Sequence, residues 1–352
     1  MKPAHPQPCR AEEADMQEKS RGIKNIQIYA RCKYPIVSAY EFDFLKTEDV
    51  VQAILKPCTI YFIVQRPLLY INNLRIRDGQ VKFEITDYSL SPPLECCFDP
   101  RANGFAELNE ELLIDIQFYK QTHDRCEPYN DIGGIKLYDV DGKFLFWLTP
   151  QKYIHHCLTN RLKAEIKGDI TSYIDYKVHY IGQAFSQEVW NRLTGHEKMQ
   201  AILTREWPLD QKSITSSLEI SLILLDIAGY DEMNIFPDFD LLLSPGVEPI
   251  VHEFDFEEDN NSFATYYNPK LAVDAEELTN EVEAMLINKF KPQYNKILFE
   301  NYPNIKKGTR SAGYTESSLV LESLPAILKT DKYTQGVVLS SISNAEAPKG
   351  SP

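Results

Sequence analysis

Two Asp-Gly pairs constrain the fold of this chain most. Asp78-Gly79 stands inside "RIRDGQVKF" and Asp141-Gly142 inside "YDVDGKFLFW". Each separates two runs rich in β-branched and aromatic residues, and an Asp-Gly turn between such runs closes a hairpin. "TIYFIV" and "VKFEITDY" carry the same texture, which suits a pleated, half-buried surface. "NEELLIDIQFYK" reads as either helix or strand. Residues 23–150 are therefore expected to form a β-rich α+β domain for recognition or regulation, with no catalytic constellation of its own. Asp139 and Asp141 suggest a calcium loop only superficially, because the further ligands and the closing Glu are missing.

The texture changes after Thr149-Pro150. "PQKYIHHCLTNRLKAEIKGD" reads as a helix or helical connector and "ITSYIDYKVHYIG" as a strand. "SQEVWNRL" reads as a short helix with Ser186 at its N-cap, and "SSLEISLILLDI" as a buried strand. An acidic insertion spans about 228–272. "DAEELTNEVEAMLINKF" is a helix, opened by a capping box from Asp274 to Glu277 and stopped by Pro292. Residues 1–22 and the end of a 313–352 extension read as unstructured tails.

Composition excludes several classes. The chain has 352 residues, enough for about two domains. Its net charge of −14 argues against a general nucleic-acid coat, which needs clustered Lys and Arg, but leaves room for a local basic groove. Seven cysteines without a C-x-x-C pair indicate neither a disulfide framework nor a zinc site. No apolar run approaches the roughly 18 residues of a membrane helix, and residues 1–22 lack the apolar core of a signal peptide. The expectation is a soluble, cytoplasmic protein without a membrane partner.

The last helix holds an anomaly. Leu278, Val282, Met285 and Leu286 form an apolar stripe at helical spacing, widened by Ile287 and Phe290. Glu283 lies on their side of the helix. A carboxylate there either reaches water at the stripe's edge or faces a cleft where a cation meets it. Glu281 is a rival carboxylate nearby. Earlier in the chain, Arg192 and His196 are four residues apart. They form either a solvated pair on one helix or, if Thr194 and Glu197 open a new helix, a phosphate contact at its first turn.

Together these segments resemble the GIY-YIG nuclease family. Tyr180-Ile181-Gly182 matches its second signature triplet, and Arg192 and His196 match the positions that follow on its first helix. Glu283-Ala284-Met285-Leu286-Ile287 is similar to its Glu-x-x-Leu-Ile helix start, and Pro292-Gln293-Tyr294-Asn295 to its closing Pro-x-x-Asn. The first triplet is absent as Gly-Ile-Tyr. "GDITSYIDY" stands in its place, where Tyr173 and Tyr176 compete for the tyrosine and spacing favours Tyr173.

The resemblance covers roughly residues 168–296 and implies a nuclease domain over 151–312, with a small antiparallel sheet flanked by helices. It implies metal-dependent endonuclease activity on nucleic acid, DNA before RNA, with one Mg²⁺ or Mn²⁺ on Glu283. It further implies that Tyr173, Tyr180, Arg192 and His196 serve catalysis, while Gly182 and Asn295 are structural. Lys289, Lys291 and Lys296 are expected to meet nucleic acid. Bacterial DNA processing or antiviral defence would suit such a family. The alternative is a module that keeps the fold to bind nucleic acid or protein without catalysis.

Overall fold

The computed structural model describes residues 25–38, 41, 45, 48–88, 92–106, 110–119, 126–184, 197–206, 217–231 and 273–336. It is a mixed α+β structure, mostly sheet, with curled sheets. Arg192, His196, both expected tails and nearly all of the acidic insertion lie outside the described residues.

The strands sort into two sheets, and the sorting does not follow the chain. The first sheet contains β1 (Asn25–Cys32), β2 (Val37–Ser38), β3 (Cys58–Pro67), β11 (Asp175–Gln183), β12 (Leu218–Asp231), β13 (Glu316–Glu322), β14 (Ile327–Lys329) and β15 (Thr334–Gln335). Its order is β13-β1-β12-β3-β11-β14-β15, with β2 also on β12. The second contains β4 (Tyr70–Arg77), β5 (Gln80–Thr86), β6 (Leu94–Phe98), β7 (Leu113–Phe118), β8 (Ile132–Tyr138), β9 (Phe144–Leu148) and β10 (Ala164–Lys167). Its order is β10-β6-β5-β4-β8-β7, with β9 also on β8.

The second sheet is thus an insertion between β3 and β11, which are neighbours in the first. The boundary expected at residue 150 is not where the sheets divide. β1 and β3 belong with β11 and β12, because their buried faces complete the same core.

Both expected hairpins form. Asp78 and Gly79 take positive φ (54° and 75°) between β4 and β5, the conformation that a tight hairpin turn requires. The ambiguous "NEELLIDIQFYK" resolves as strand β7, and the segment after residue 149 is helical only over α2 (Pro150–Leu158). Thr149 caps α2 by accepting from Lys152 N; β10 then turns back onto β6.

The first sheet is covered on both faces, which is why β3 is buried almost continuously. On one face, Ile60, Phe62, Val64, Val178 and Ile181 meet Val282, Leu286 and Phe290 of α4 (Ala275–Phe290). On the other, Tyr61, Ile63, Leu222 and Leu224 meet Ile202 of α3 (Glu197–Glu206). The capping box on α4 is present in both directions, and Lys291 ends the helix in the left-handed conformation just before Pro292. The remaining short helix, α1 (Asp49–Leu55), buries Leu55.

Candidate functional site

The site is built from a strand pair and the segment that runs beside it. β11 is antiparallel to β3, with Gly182 opposite Tyr61 and a register shift between Val178 and Tyr180. A bulge of this kind turns two consecutive side chains to one side. Tyr180 packs with Tyr61 on the α3 face, their ring centroids 6.0 Å apart, and the buried His179 ring meets Tyr294, a member of the same cluster, at 5.9 Å.

Gly182 is required here for close approach. A Cβ at this position would come within 2.7 Å of both Tyr61 Oη and Tyr180 Cε1. The glycine of Tyr-Ile-Gly is therefore dictated by a tyrosine on the neighbouring strand.

The outer edge of β11 is held by the segment after α4. Asn295 Oδ1 accepts from Ile181 N at 3.0 Å, and its Nδ2 donates to Ile181 O at 2.7 Å. Tyr294 N donates to His179 O at 3.1 Å. One carboxamide thus does the work of a neighbouring strand, satisfying backbone groups that an open edge would expose.

Around Tyr294 lies a polar network. Its hydroxyl donates to Glu206 Oε1 at 2.7 Å, Lys177 Nζ lies 3.3 Å from Glu206 Oε2, and His179 Nε2 meets Gln65 Oε1 at 3.0 Å. Burial pushes the His179 imidazolium down to about 4, so the ring is neutral near pH 7. Burial and the Glu206 carboxylate push the Tyr294 hydroxyl up to about 12. Burial alone would raise Glu206, but the Tyr294 hydroxyl, His179 and Lys177 outweigh it and hold its carboxyl below the usual range.

The helix α4 meets the same end of the strand pair from the opposite face. Thr279 Oγ1 bonds Thr59 Oγ1 at 3.0 Å, and Gln183 Nε2 donates to Asn280 Oδ1 at 3.0 Å. Glu283 follows these residues by one helical turn and is half-buried. Side chains on a helix lean toward its N-terminus, so Glu283 leans toward the level of these two bonds. Its rival Glu281 has a different task. It is fully buried and accepts from Tyr302 Oη at 2.9 Å and from Thr309 N at 3.1 Å.

Tyr173 is not part of this assembly. It lies in the core of the second sheet, where its hydroxyl donates to Pro92 O at 2.7 Å. Tyr176 packs on the α4 face beneath the Arg66 guanidinium, away from Tyr180. The tyrosine beside Tyr180 is Tyr61, in Thr59-Ile60-Tyr61. Its signal in the sequence was an Ile-Tyr pair inside a strong strand, hidden by the inserted sheet between it and Tyr180.

The three lysines are scattered. Lys289 Nζ sits 4.8 Å from the Tyr333 ring centroid, while Lys291 and Lys296 are exposed beyond the end of the helix. Among the described residues no three His, Cys, Asp or Glu gather into a metal cage. A single carboxylate suits Mg²⁺, which binds through one or two carboxylates, keeps several waters and takes phosphate oxygens from its substrate. Glu283 fits that donor set.

No family model matches the chain, and neither does any curated protein or solved structure.

Proposed function

We propose that this chain is a metal-dependent endonuclease of the GIY-YIG type, acting on DNA, with its first and second motif strands separated in sequence by the inserted sheet. The observation that carries this reading is the two-point bond between Asn295 and Ile181. It joins the Tyr-Ile-Gly strand to the Pro-x-x-Asn segment across 114 residues. Two segments that resemble one family's motifs by sequence alone are thereby neighbours in space. The pairing of Tyr61 with Tyr180 supports the reading further, since Ile60-Tyr61 supplies the last two residues of the first triplet.

In this reading Glu283 holds the cation, which when bound neutralises charge on the scissile phosphate and the leaving oxygen. Arg192 donates to phosphate oxygens with a fixed fork of N–H groups. The half-buried Tyr180 orients the attacking water through its hydroxyl, the fully buried Tyr61 packs behind it, and His196 contacts the phosphate. Asn295 fixes the position of β11 and touches no substrate. His179, neutral and bonded to Gln65, holds the bulge that turns Tyr180 toward Tyr61.

A second reading has one observation in its favour. The glycine of the first triplet is replaced by Thr59, whose hydroxyl is engaged by Thr279. A module that keeps the fold to bind nucleic acid or protein tolerates that change without loss. Incubation of the protein with plasmid DNA, single-stranded DNA and RNA, with Mg²⁺ or Mn²⁺ and with chelator, separates the two. Metal-dependent cleavage that Glu283→Ala and Arg192→Ala both abolish supports the nuclease. Binding without cleavage by wild type supports the module.

A further inference from the structure

The outer face of the second sheet carries charges in an arrangement that costs the free protein stability. β5 lies between β4 and β6. The register places Arg75 directly opposite Lys82, and Glu84 directly opposite Glu95. Like charges facing each other across two strands repel. The inner faces of the same strands are ordinary core: Val81, Phe83, Ile85, Leu94 and Phe98 are buried. The sheet therefore had a free choice of residues on its outer face, yet sets two cations in one row and two anions in the next.

Arg75, Lys82 and Glu84 face no opposite charge across the strands, whereas Glu95 has Lys167 of β10 opposite it on its outer side. Among the described residues, Arg75, Lys82, Glu84 and Glu95 form no hydrogen bond or ion pair through their side chains. Lys167 lies 3.9 Å from Glu165 on its own strand and closes no ion pair with Glu95. The rows are two residues apart along a strand, a separation of about 7 Å. They line a concave cavity of about 530 Å³, within the ordinary range for small-ligand sites. Gln80 and Asn73 add neutral hydrogen-bonding groups beside the cationic row, and Cys97 lies in the lining opposite Lys82.

We propose that this cavity binds a small bipolar ligand, a carboxylate or phosphate joined to an ammonium group by a chain of about 7 Å. The anion sits between Arg75 and Lys82, where the Arg fork suits either planar carboxylate or phosphate oxygens. The ammonium sits between Glu84 and Glu95. Each end of the ligand replaces a repulsion with two attractions, so a molecule carrying only one charge relieves only half of the arrangement. The site stands apart from the Tyr61–Tyr180 assembly and does not depend on the nuclease reading.

The test uses the full chain and calorimetric titration. The probes are ω-amino carboxylates and ω-aminoalkyl phosphates of three to eight carbons, with the matching fatty acids, alkyl phosphates and alkylamines as controls. The expected result is saturable one-to-one binding with an optimum chain length, and about tenfold or more weaker binding of every singly charged control. Lys82→Gln and Glu84→Gln should each reduce binding of the best probe by about tenfold. Both should also raise the melting temperature of the free protein, because each removes one member of a like-charge pair. Absence of saturable binding across the whole series would overturn the proposal. So would controls that bind as well as the bipolar probes, or a Glu84→Gln variant that binds like wild type. The rise in melting temperature separates lost binding from lost folding.

Discussion

The two ends of the β3–β11 pair are built on opposite principles. At the end that receives the inserted sheet, the polar groups are charged and buried. Arg66 Nη2 meets Glu219 Oε2 at 3.2 Å and Gln151 Oε1 at 3.5 Å, while Lys152 Nζ lies 3.2 Å from Glu41 Oε1. At the other end the bonds are neutral: Thr59 to Thr279, Gln183 to Asn280, and Asn295 to Ile181. Buried ion pairs fix a junction because losing one partner strands the other. Neutral bonds fix geometry without imposing a field. The bonds that tie strand to helix and segment at the site end are thus neutral, and the charged pair there, Lys177 with Glu206, lies beside Tyr294.

The largest expected effect tests the charged end. Arg66→Ala leaves Glu219 buried without its cation and should cost about 4 kcal/mol in chemical denaturation. A loss below about 1 kcal/mol would mean that the junction does not rest on this pair. Next comes the neutral end. Asn295→Ala leaves Ile181 N–H and C=O without their partner and should cost about 2 kcal/mol, with cleavage falling in step because β11 loses its edge support. Unchanged stability would show that water replaces the carboxamide freely.

A smaller effect contrasts two carboxylates on one helix. Glu281→Ala removes the acceptor of Tyr302 and Thr309 and should lower the melting temperature clearly. Glu283→Ala should leave it nearly unchanged while abolishing cleavage. Equal destabilisation by both would remove the distinction between a structural and a functional carboxylate.

The smallest effect is a pH dependence at the junction end. Among the described residues, neither His155 ring nitrogen has a hydrogen-bond partner. Burial, with His156 and Arg161 nearby, lowers its pKa to about 3 from an ordinary 6.5. The unfolded chain therefore binds a proton here that the folded chain refuses. Stability from this residue is full above about pH 6.5 and falls as pH drops toward 3. His155→Phe should flatten that acid loss and change little at pH 7.5, as followed by melting temperature across pH. An unaltered acid limb would show that other groups govern it.

Local features were legible in the sequence. The turn at Asp78-Gly79, the capping box at Asp274 and the helix stop at Pro292 each depend on residues a few positions apart. The pairing of Tyr61 with Tyr180 was not legible, because strand register is decided by burial across the whole sheet. An inserted sheet placed Tyr173 and Tyr176 closer in sequence, and proximity in the chain favoured Tyr173, which packs in the core of the second sheet. The helix stripe was readable, but which of Glu281 and Glu283 is buried was not. That depends on Tyr302 and Thr309, which reach back to the helix through a loop with no periodic signal. The identity of residue 182 carried hidden information, since only glycine fits under the Tyr61 hydroxyl.

The most direct test of the central claim compares two tyrosines in one assay. Metal-dependent cleavage of plasmid DNA is measured for wild type, Tyr180→Phe and Tyr173→Phe. If the site is the Tyr61–Tyr180 assembly, Tyr180→Phe should lose about a hundredfold in rate, the scale of positioned acid–base groups, while Tyr173→Phe stays near wild type. Loss in Tyr173→Phe with full activity in Tyr180→Phe would contradict the account.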